Sequence, residues 1–313
     1  MSTELPPFPL VEAATLQEIA RRHGERGVRR LPQVGMFNAV YALGQNLILR
    51  VPRDHPDFVA ATVREAVASP LARRAGVRTP ALVEYDHSLS LLNVPFLVYE
   101  RVHGDTLELL NLAPETTPEV WRELGRDYAK LHHGVARTAE NTHLEAPPFD
   151  PPQQLVENLA ERGTFTSREA AWLLGMLERL EPAARLGVSK VFCHGDPQGT
   201  NVMVSTTAHR YLALIDWGSA TWADPAHEPA GLPLRALPYL LEGYRQVASM
   251  GGDDTAEARI LWWQFRNALT CLERPPPPDL PTLSWVERPL SQLLEIMRFL
   301  MSPEGQPWLR LVS

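Results

Sequence analysis

The sequence predicts an α+β protein of two lobes, a small antiparallel β-sheet followed by a larger, mainly helical part. Three observations predict it. The first hundred of the 313 residues are dominated by short apolar runs punctuated by turn residues. After Gly104 the apolar positions recur at helical spacing. Inside that helical stretch, two short strand-like runs flank a cluster of His, Asp and Asn near positions 194–216. The length suits two lobes, divided here as residues 1–98, a connecting segment 99–104, and residues 105–313.

Residues 11–23 place Leu16, Ile19 and Ala20 on one helical face, and Gly24 ends the segment. Strand-like runs follow at 28–31, 37–43 and 47–51, with Gly44-Gln45-Asn46 as a hairpin turn. Residues 58–75 read as a helix stopped by Gly76, and 81–85 and 95–102 as further strands. Together they form an antiparallel sheet with a crossing helix. In the second part, helices are expected at 119–133, 153–160, 167–180, near 234–248, at 255–272 and at 283–301. Pro275 to Pro278 read as a stiff connector.

Composition excludes several classes. A net charge of −7 argues against nucleic acid as the main partner, because phosphate neutralisation needs a basic surface. No apolar run approaches the ~18 residues of a membrane span, and Met1 to Leu10 lack the pattern of a signal peptide. A cytoplasmic protein is expected. Two cysteines, Cys193 and Cys271, leave no room for a disulfide framework; Cys193 reads as a small buried apolar residue. The His132-His133 pair at a helix end reads as positive charge at a helix C-terminus.

The chemistry concentrates in His194-Gly195-Asp196, then Asn201, then Leu214-Ile215-Asp216-Trp217. In H-x-D-x-x-x-x-N, the Asp accepts the proton of an attacking hydroxyl, and the Asn and a later Asp hold a divalent cation. Mg²⁺ takes hard oxygen ligands and fills its shell with water and substrate phosphates, so one amide and one carboxylate suffice. A hairpin of residues 201–204 and 211–215 brings Asn201 and Asp216 to the same end. His194 either touches the transition state or braces the loop; the brace is favoured, since Asp196 suffices as base.

This motif resembles the aminoglycoside phosphotransferase and choline kinase family of small-molecule kinases, distant relatives of the protein kinases. The resemblance implies the bilobal protein-kinase-like fold, ATP as donor with GTP as the alternative, Mg²⁺, and a small-molecule hydroxyl acceptor. It implies that Val34 to Tyr41, with Gly35 and Asn38, covers the phosphates through backbone N–H groups. Arg50 is the lone charge in an apolar strand and needs a partner, for which Glu65 is the natural candidate; the family's pairing here is usually Lys with Glu. Phe96 to Gly104 resembles the interlobe hinge, where the backbone of Glu100 and Val102 meets the adenine edge.

Besides Arg50, the chain departs from the family at two places. Gly218 stands where an acidic residue often follows the Trp, and Glu228-Pro229 where Asp-Leu-Ala is usual after Asp224-Pro225. Asp224 reads as a helix cap. Acceptor candidates are Glu228, Glu242, Asp253, Asp254 and Glu257 for amines, and Trp222, Trp262 and Trp263 for apolar or quaternary-ammonium groups. Residues 305–313 carry no acidic side chain, which favours an unidentified metabolite over an aminoglycoside. The alternative from a different class is a catalytically silent nucleotide-binding protein. The sequence leaves the oligomeric state open.

Overall fold

A computed structural model describes residues 6–32, 37–146, 148–273 and 290–313. Helix α1 (Ala13–Arg22) packs Ile19 and Ala20 against the first sheet. Strands β1 (Val28–Arg30), β2 (Asn38–Leu43) and β3 (Leu47–Pro52) precede helix α2 (Pro56–Arg74). Strands β4 (Leu82–Asp86) and β5 (Phe96–Glu100) then complete a five-stranded sheet in the order β1-β2-β3-β5-β4, antiparallel at every pairing. Leu43, Leu49, Phe96 and Val98 close a small core with Ile19. Burying each such side chain contributes roughly 1.5–3 kcal/mol.

The remainder is mostly helical. Strand β6 (Asp105–Thr106) and helix α3 (Leu107–Leu110) lead to α4 (Pro118–Gly134), α5 (Pro152–Glu161) and α6 (Ser167–Ala184). Four short strands follow: β7 (Val191–Cys193), β8 (Val202–Val204), β9 (Tyr211–Leu214) and β10 (Thr221–Ala223). Helices α7 (Leu237–Arg245), α8 (Ala256–Glu273), α9 (Ser291–Leu300) and α10 (Gln306–Leu309) complete the described chain. A second, larger core joins Trp121, Leu124 and Tyr128 of α4 to Leu177, Leu240 and Phe265, and takes in Ala68 and Ala72 of α2. Helix α2 therefore belongs to both packing systems. No described helix is long and apolar enough to cross a membrane.

Two glycines set the spacing of the large core. A Cβ on Gly125 of α4 would sit 2.0 Å from the Leu240 carbonyl oxygen, and one on Gly243 of α7 would sit 2.0 Å from that of Arg122. The two helices touch backbone to backbone, and this contact carries Tyr244 to the end of α4, where His132 lies.

The expected elements form close to their predicted bounds, and β6, α3 and α10 are short additions to them. The β7–β10 pair, in which Cys193 faces Thr221, was not expected, because three residues show no periodicity. Part of the predicted phosphate-covering segment differs too: Asn38 opens β2 opposite Pro52, so 38–41 are strand. Gly35, Pro275 to Pro278 and the first part of the predicted 283–301 helix lie outside the described residues.

Candidate active site

The hairpin converges as its register requires. Val202 of β8 pairs with Leu214 of β9, and the Ile215 amide donates to the Asn201 carbonyl at 2.9 Å. Asn201 and Asp216 therefore leave the same end of the hairpin. Asn201 is 6% exposed, and its amide nitrogen donates to both the Asp196 carbonyl and Asp196 Oδ2, each at 2.9 Å. That fixes the rotamer and leaves its carbonyl oxygen as the end available to a cation. Asp196 Oδ1 accepts from Gln198 Nε2 at 2.6 Å. Burial pushes the Asp196 carboxyl upward, with His194, Asn201 and Gln198 pulling the other way.

Asp216 has φ 68°, a left-handed conformation uncommon outside glycine. Its side chain is 36% exposed, and Oδ2 meets Arg50 Nη2 at 2.9 Å. Burial opposes ionisation, but Arg50 outweighs it and holds this carboxyl below its usual range. Arg50 Nη1 also meets Glu65 Oε1 at 2.5 Å, so the expected pair forms. One guanidinium thus joins a strand of the small sheet, helix α2 and the end of the hairpin. Burial pushes the Glu65 carboxyl up to about 7 against the pull of Arg50.

His194 is 0% exposed and acts through the backbone. Its Nε2 meets the Ile215 carbonyl at 2.9 Å and its Nδ1 meets the Asp196 amide at 3.3 Å, so both ring nitrogens are engaged by the backbone. The Trp217 ring crosses it at 4.7 Å, and Trp217 Nε1 donates to Thr79 Oγ1 at 3.0 Å. Gly195 has φ 82°, and a Cβ there would lie 2.1 Å from the Ser219 carbonyl oxygen. No other residue satisfies both conditions.

Glu228 corrects the sequence reading twice. It is not an acceptor-facing carboxylate: it is 0% exposed, beneath the loop. Its two oxygens accept the His194 amide at 2.6 Å and the Gly195 amide at 3.3 Å, so it braces the loop from below. Burial would raise its carboxyl, but His132 and the His194 amide hold it below the usual range. His132, 5% exposed, lies 3.5 Å from Glu228 and 2.9 Å from Tyr244 Oη. It is a buried link in this chain, while His133 in the same last turn is exposed and lies 3.2 Å from the Ser249 carbonyl. His132, Cys193 and Glu228 lie within 4.8 Å of one another, a metal-like grouping. The backbone amides and Tyr244 already occupy the His and Glu, and burial pushes the Cys193 thiol well up, which suits a structural cysteine.

Asp224 caps Ala226 at 2.8 Å, as expected, and also pairs with the fully buried Arg259 of α8. Gly218 lies against α2: a Cβ there would be 3.2 Å from the Ala61 side chain. In the predicted hinge, the Glu100 amide donates to the Ala81 carbonyl at 3.0 Å. Val102 follows Arg101, whose amide donates to Asn46 at 2.7 Å.

The remaining acceptor candidates are not gathered at the loop. Glu242 pairs with Arg122 at 2.9 Å, and Asp253 and Glu257 pair with Arg245 at 3.1 and 2.9 Å. Asp254 and Glu257 border a separate cavity of about 220 Å³ between α8 and α10. Trp222 donates to the Asn141 carbonyl in the core. Trp262 and Trp263 cross at 5.1 Å, and Trp263 meets Phe149 and His227 at 4.9 and 4.7 Å. Sequence reading missed Glu108 of α3, whose Oε2 lies 3.3 Å from where a Gly199 Cβ would be, beside the catalytic-type loop.

A family model described as the phosphotransferase enzyme family matches residues 29–270. The chain belongs to that family. It is a phosphotransferase. The match to this phosphotransferase family takes in nearly all of the five-stranded sheet and the whole loop from His194 to Trp217. Among solved structures it is similar to the GDP complex of wild-type aminoglycoside 2'-phosphotransferase-IIIa, at 14% identity and a TM-score of 0.64, over 96% of this chain and 95% of that one. It is similar to a choline/ethanolamine kinase family protein from Mesorhizobium loti, at 19% identity and a TM-score of 0.60, over 96% and 97%. A macrolide 2'-phosphotransferase type I aligns at 18% identity and a TM-score of 0.56, over 85% and 93%. At these identities the likeness establishes the fold, which is protein-kinase-like. No curated protein matches the sequence.

Proposed function

We propose that this phosphotransferase moves the γ-phosphoryl group of ATP, with GTP as the alternative donor, to a hydroxyl of a small molecule. One observation carries the reading: Asp196, held by Asn201 and Gln198, shares a site with Asp216, which is bound to the Arg50–Glu65 pair. The acceptor oxygen attacks the γ-phosphorus as the bond to the β,γ-bridging oxygen breaks. The hydroxyl proton passes to the Asp196 carboxylate, and the nucleoside diphosphate leaves. Arg50 grips phosphate oxygens, with Glu65 fixing its position. His194 holds the loop to Ile215 and takes no proton.

The donor set fits magnesium. Asn201 offers a neutral oxygen because its nitrogen is engaged, and Asp216 offers a partly exposed carboxylate. When bound, Mg²⁺ neutralises charge on the phosphate oxygens. Residues 1–98 form the nucleotide side, the backbone of Glu100 and Val102 meets the base, Gly35 and Asn38 belong to the phosphate cover, and residues 105–313 supply catalysis and the acceptor pocket. The enzyme works in the cytoplasm.

An unidentified metabolite is the favoured acceptor. Aminoglycoside and macrolide enzymes are among the structures of like fold. Against a polyamine acceptor, Glu242, Asp253 and Glu257 are already paired with arginine, and Glu228 is buried. The test is release of ADP from Mg-ATP across aminoglycosides, macrolides, choline, ethanolamine, amino acids and sugars, with Asp196→Ala as control. Acceptor-dependent release that the variant loses is expected. Release that Asp196→Ala retains removes the base assignment, and nucleotide binding with no release for any acceptor points to a silent nucleotide-binding protein.

A further inference from the structure

A cavity of about 260 Å³ lies beside the hinge, between the loop after α2, the end of β5 and strand β9. Its walls include Arg73, Arg78, Thr79, Glu100, Arg101 and Val102, so it shares Glu100 and Val102 with the proposed base contact. Arg50, Asp196, Asn201 and Asp216 do not border it. Three arginines and one glutamate thus line a small volume in a chain whose net charge is −7.

The three arginines differ in what they already do. Arg78 is fixed: Nε meets Asp127 Oδ2 at 3.0 Å, Nη2 donates to the Glu123 carbonyl at 3.0 Å, and the guanidinium lies 4.3 Å from the Tyr211 ring centre. Arg73 donates to the Thr79 carbonyl at 2.7 Å, and its Nη2 stays 3.9 Å from Glu100 Oε2. Among the described residues Arg101 forms no ion pair. Glu100 is restrained by the Ala81 amide, which its Oε2 accepts at 3.2 Å. Two guanidinium groups therefore have donors to spare, beside a third that is held in place and cannot collapse into the space.

We propose that this cavity binds a small phosphate-bearing molecule at a site separate from the nucleotide cleft, with Arg73 and Arg101 as its ligands. Guanidinium groups recognise tetrahedral oxyanions through paired, charge-assisted hydrogen bonds. The walls connect to both halves of the proposed active site. Thr79 Oγ1 accepts from Trp217, the neighbour of Asp216, and the Arg101 amide donates to Asn46 in the β2–β3 turn. Hinge contact with a base is proposed for the backbone of Glu100 and Val102, whereas the oxyanion ligands are side chains.

The probe is inorganic phosphate, followed by ³¹P line broadening on the full chain saturated with Mg²⁺ and a non-hydrolysable ATP analogue. Broadening is expected to persist with the analogue bound. Phosphate affinity is expected to fall roughly tenfold in Arg73→Ala and in Arg101→Ala, and to be unchanged in Arg185→Ala on the exposed end of α6. Arg101→Gln, which retains the packing of the side chain, guards against a folding defect and is expected to show the same loss. Loss of broadening on adding the analogue, equal broadening in all variants, or none in the unmodified chain overturns the proposal. Phosphate is read directly, so an Arg101-dependent signal in a chain that binds no nucleotide sinks the kinase reading and supports this one.

Discussion

The carboxylates around the loop at 194–216 and those on the C-terminal helices look alike in sequence and behave differently in the fold. Asp196, Asp216, Glu65 and Glu228 are held by groups from other elements: an amide side chain, a shared guanidinium, or backbone N–H groups. Glu242, Asp253 and Glu257 pair with arginines that are 25% or 35% exposed at their side chains. Pairs near solvent contribute ~0–1 kcal/mol. Buried carboxylates are costly unless every oxygen has a partner, so a network of this kind persists only where its geometry is defined. Glu65 and Glu228, 3% and 0% exposed, meet that condition, while Asp216 stays 36% exposed.

The largest contrast is expected in turnover. Asp196→Asn should lower kcat by about 10²–10⁴-fold with the fold retained, whereas Glu257→Gln should stay near the unmodified value; ADP release with the identified acceptor measures both. Equal losses would erase the distinction between the two regions. Next comes stability. Glu228→Ala leaves the His194 and Gly195 amides without an acceptor and should cost about 3 kcal/mol, seen as a fall of several degrees in Tm. The third effect is on the nucleotide. Arg50→Ala should raise the nucleotide KM roughly 10- to 100-fold through loss of charge-assisted contacts, and an unchanged KM would detach Arg50 from the phosphates.

A smaller effect lies in the pH dependence. Glu65 keeps its proton in the fold up to about pH 7, against a usual value of 4.5 when unfolded. Between these values the folded state binds more protons, so this group lowers stability as pH rises through the window. Urea unfolding at several pH values should show that slope in the unmodified chain and a flatter one in Glu65→Gln. A steeper slope in the variant would reverse the assignment. Smallest of all is Glu242→Gln, expected to shift stability by no more than about 0.5 kcal/mol; a loss near that of Glu228→Ala would show that the Arg122 pair is structural after all.

Much of the site was legible because it is local. His194, Asp196, Asn201 and Asp216 fall on one loop and one hairpin, and period-two patterning fixes which ends meet. The Arg50–Glu65 pair was legible for a different reason: a single charge in an apolar strand requires a partner, and the next helix offers one. The contact of Arg50 with Asp216 was not legible, since 166 positions of chain separate the residues and nothing in either neighbourhood records the other. Glu228 reads in sequence as one more helical acid. Only the fold shows that it sits under two amides 33 and 34 positions away.

The sequence by itself determined the two-lobed α+β class, the order of the helices and strands, and the set of side chains at the loop, because periodicity, turn residues and motif spacing act over a few residues. Tertiary structure decided which acidic groups are braces, which are surface pairs, and where arginines gather beside the hinge. Those outcomes depend on how closely backbones approach, as at Gly125 and Gly243, and on how completely each charge is desolvated and paired. Both are properties of packing between distant segments, and no local pattern encodes them.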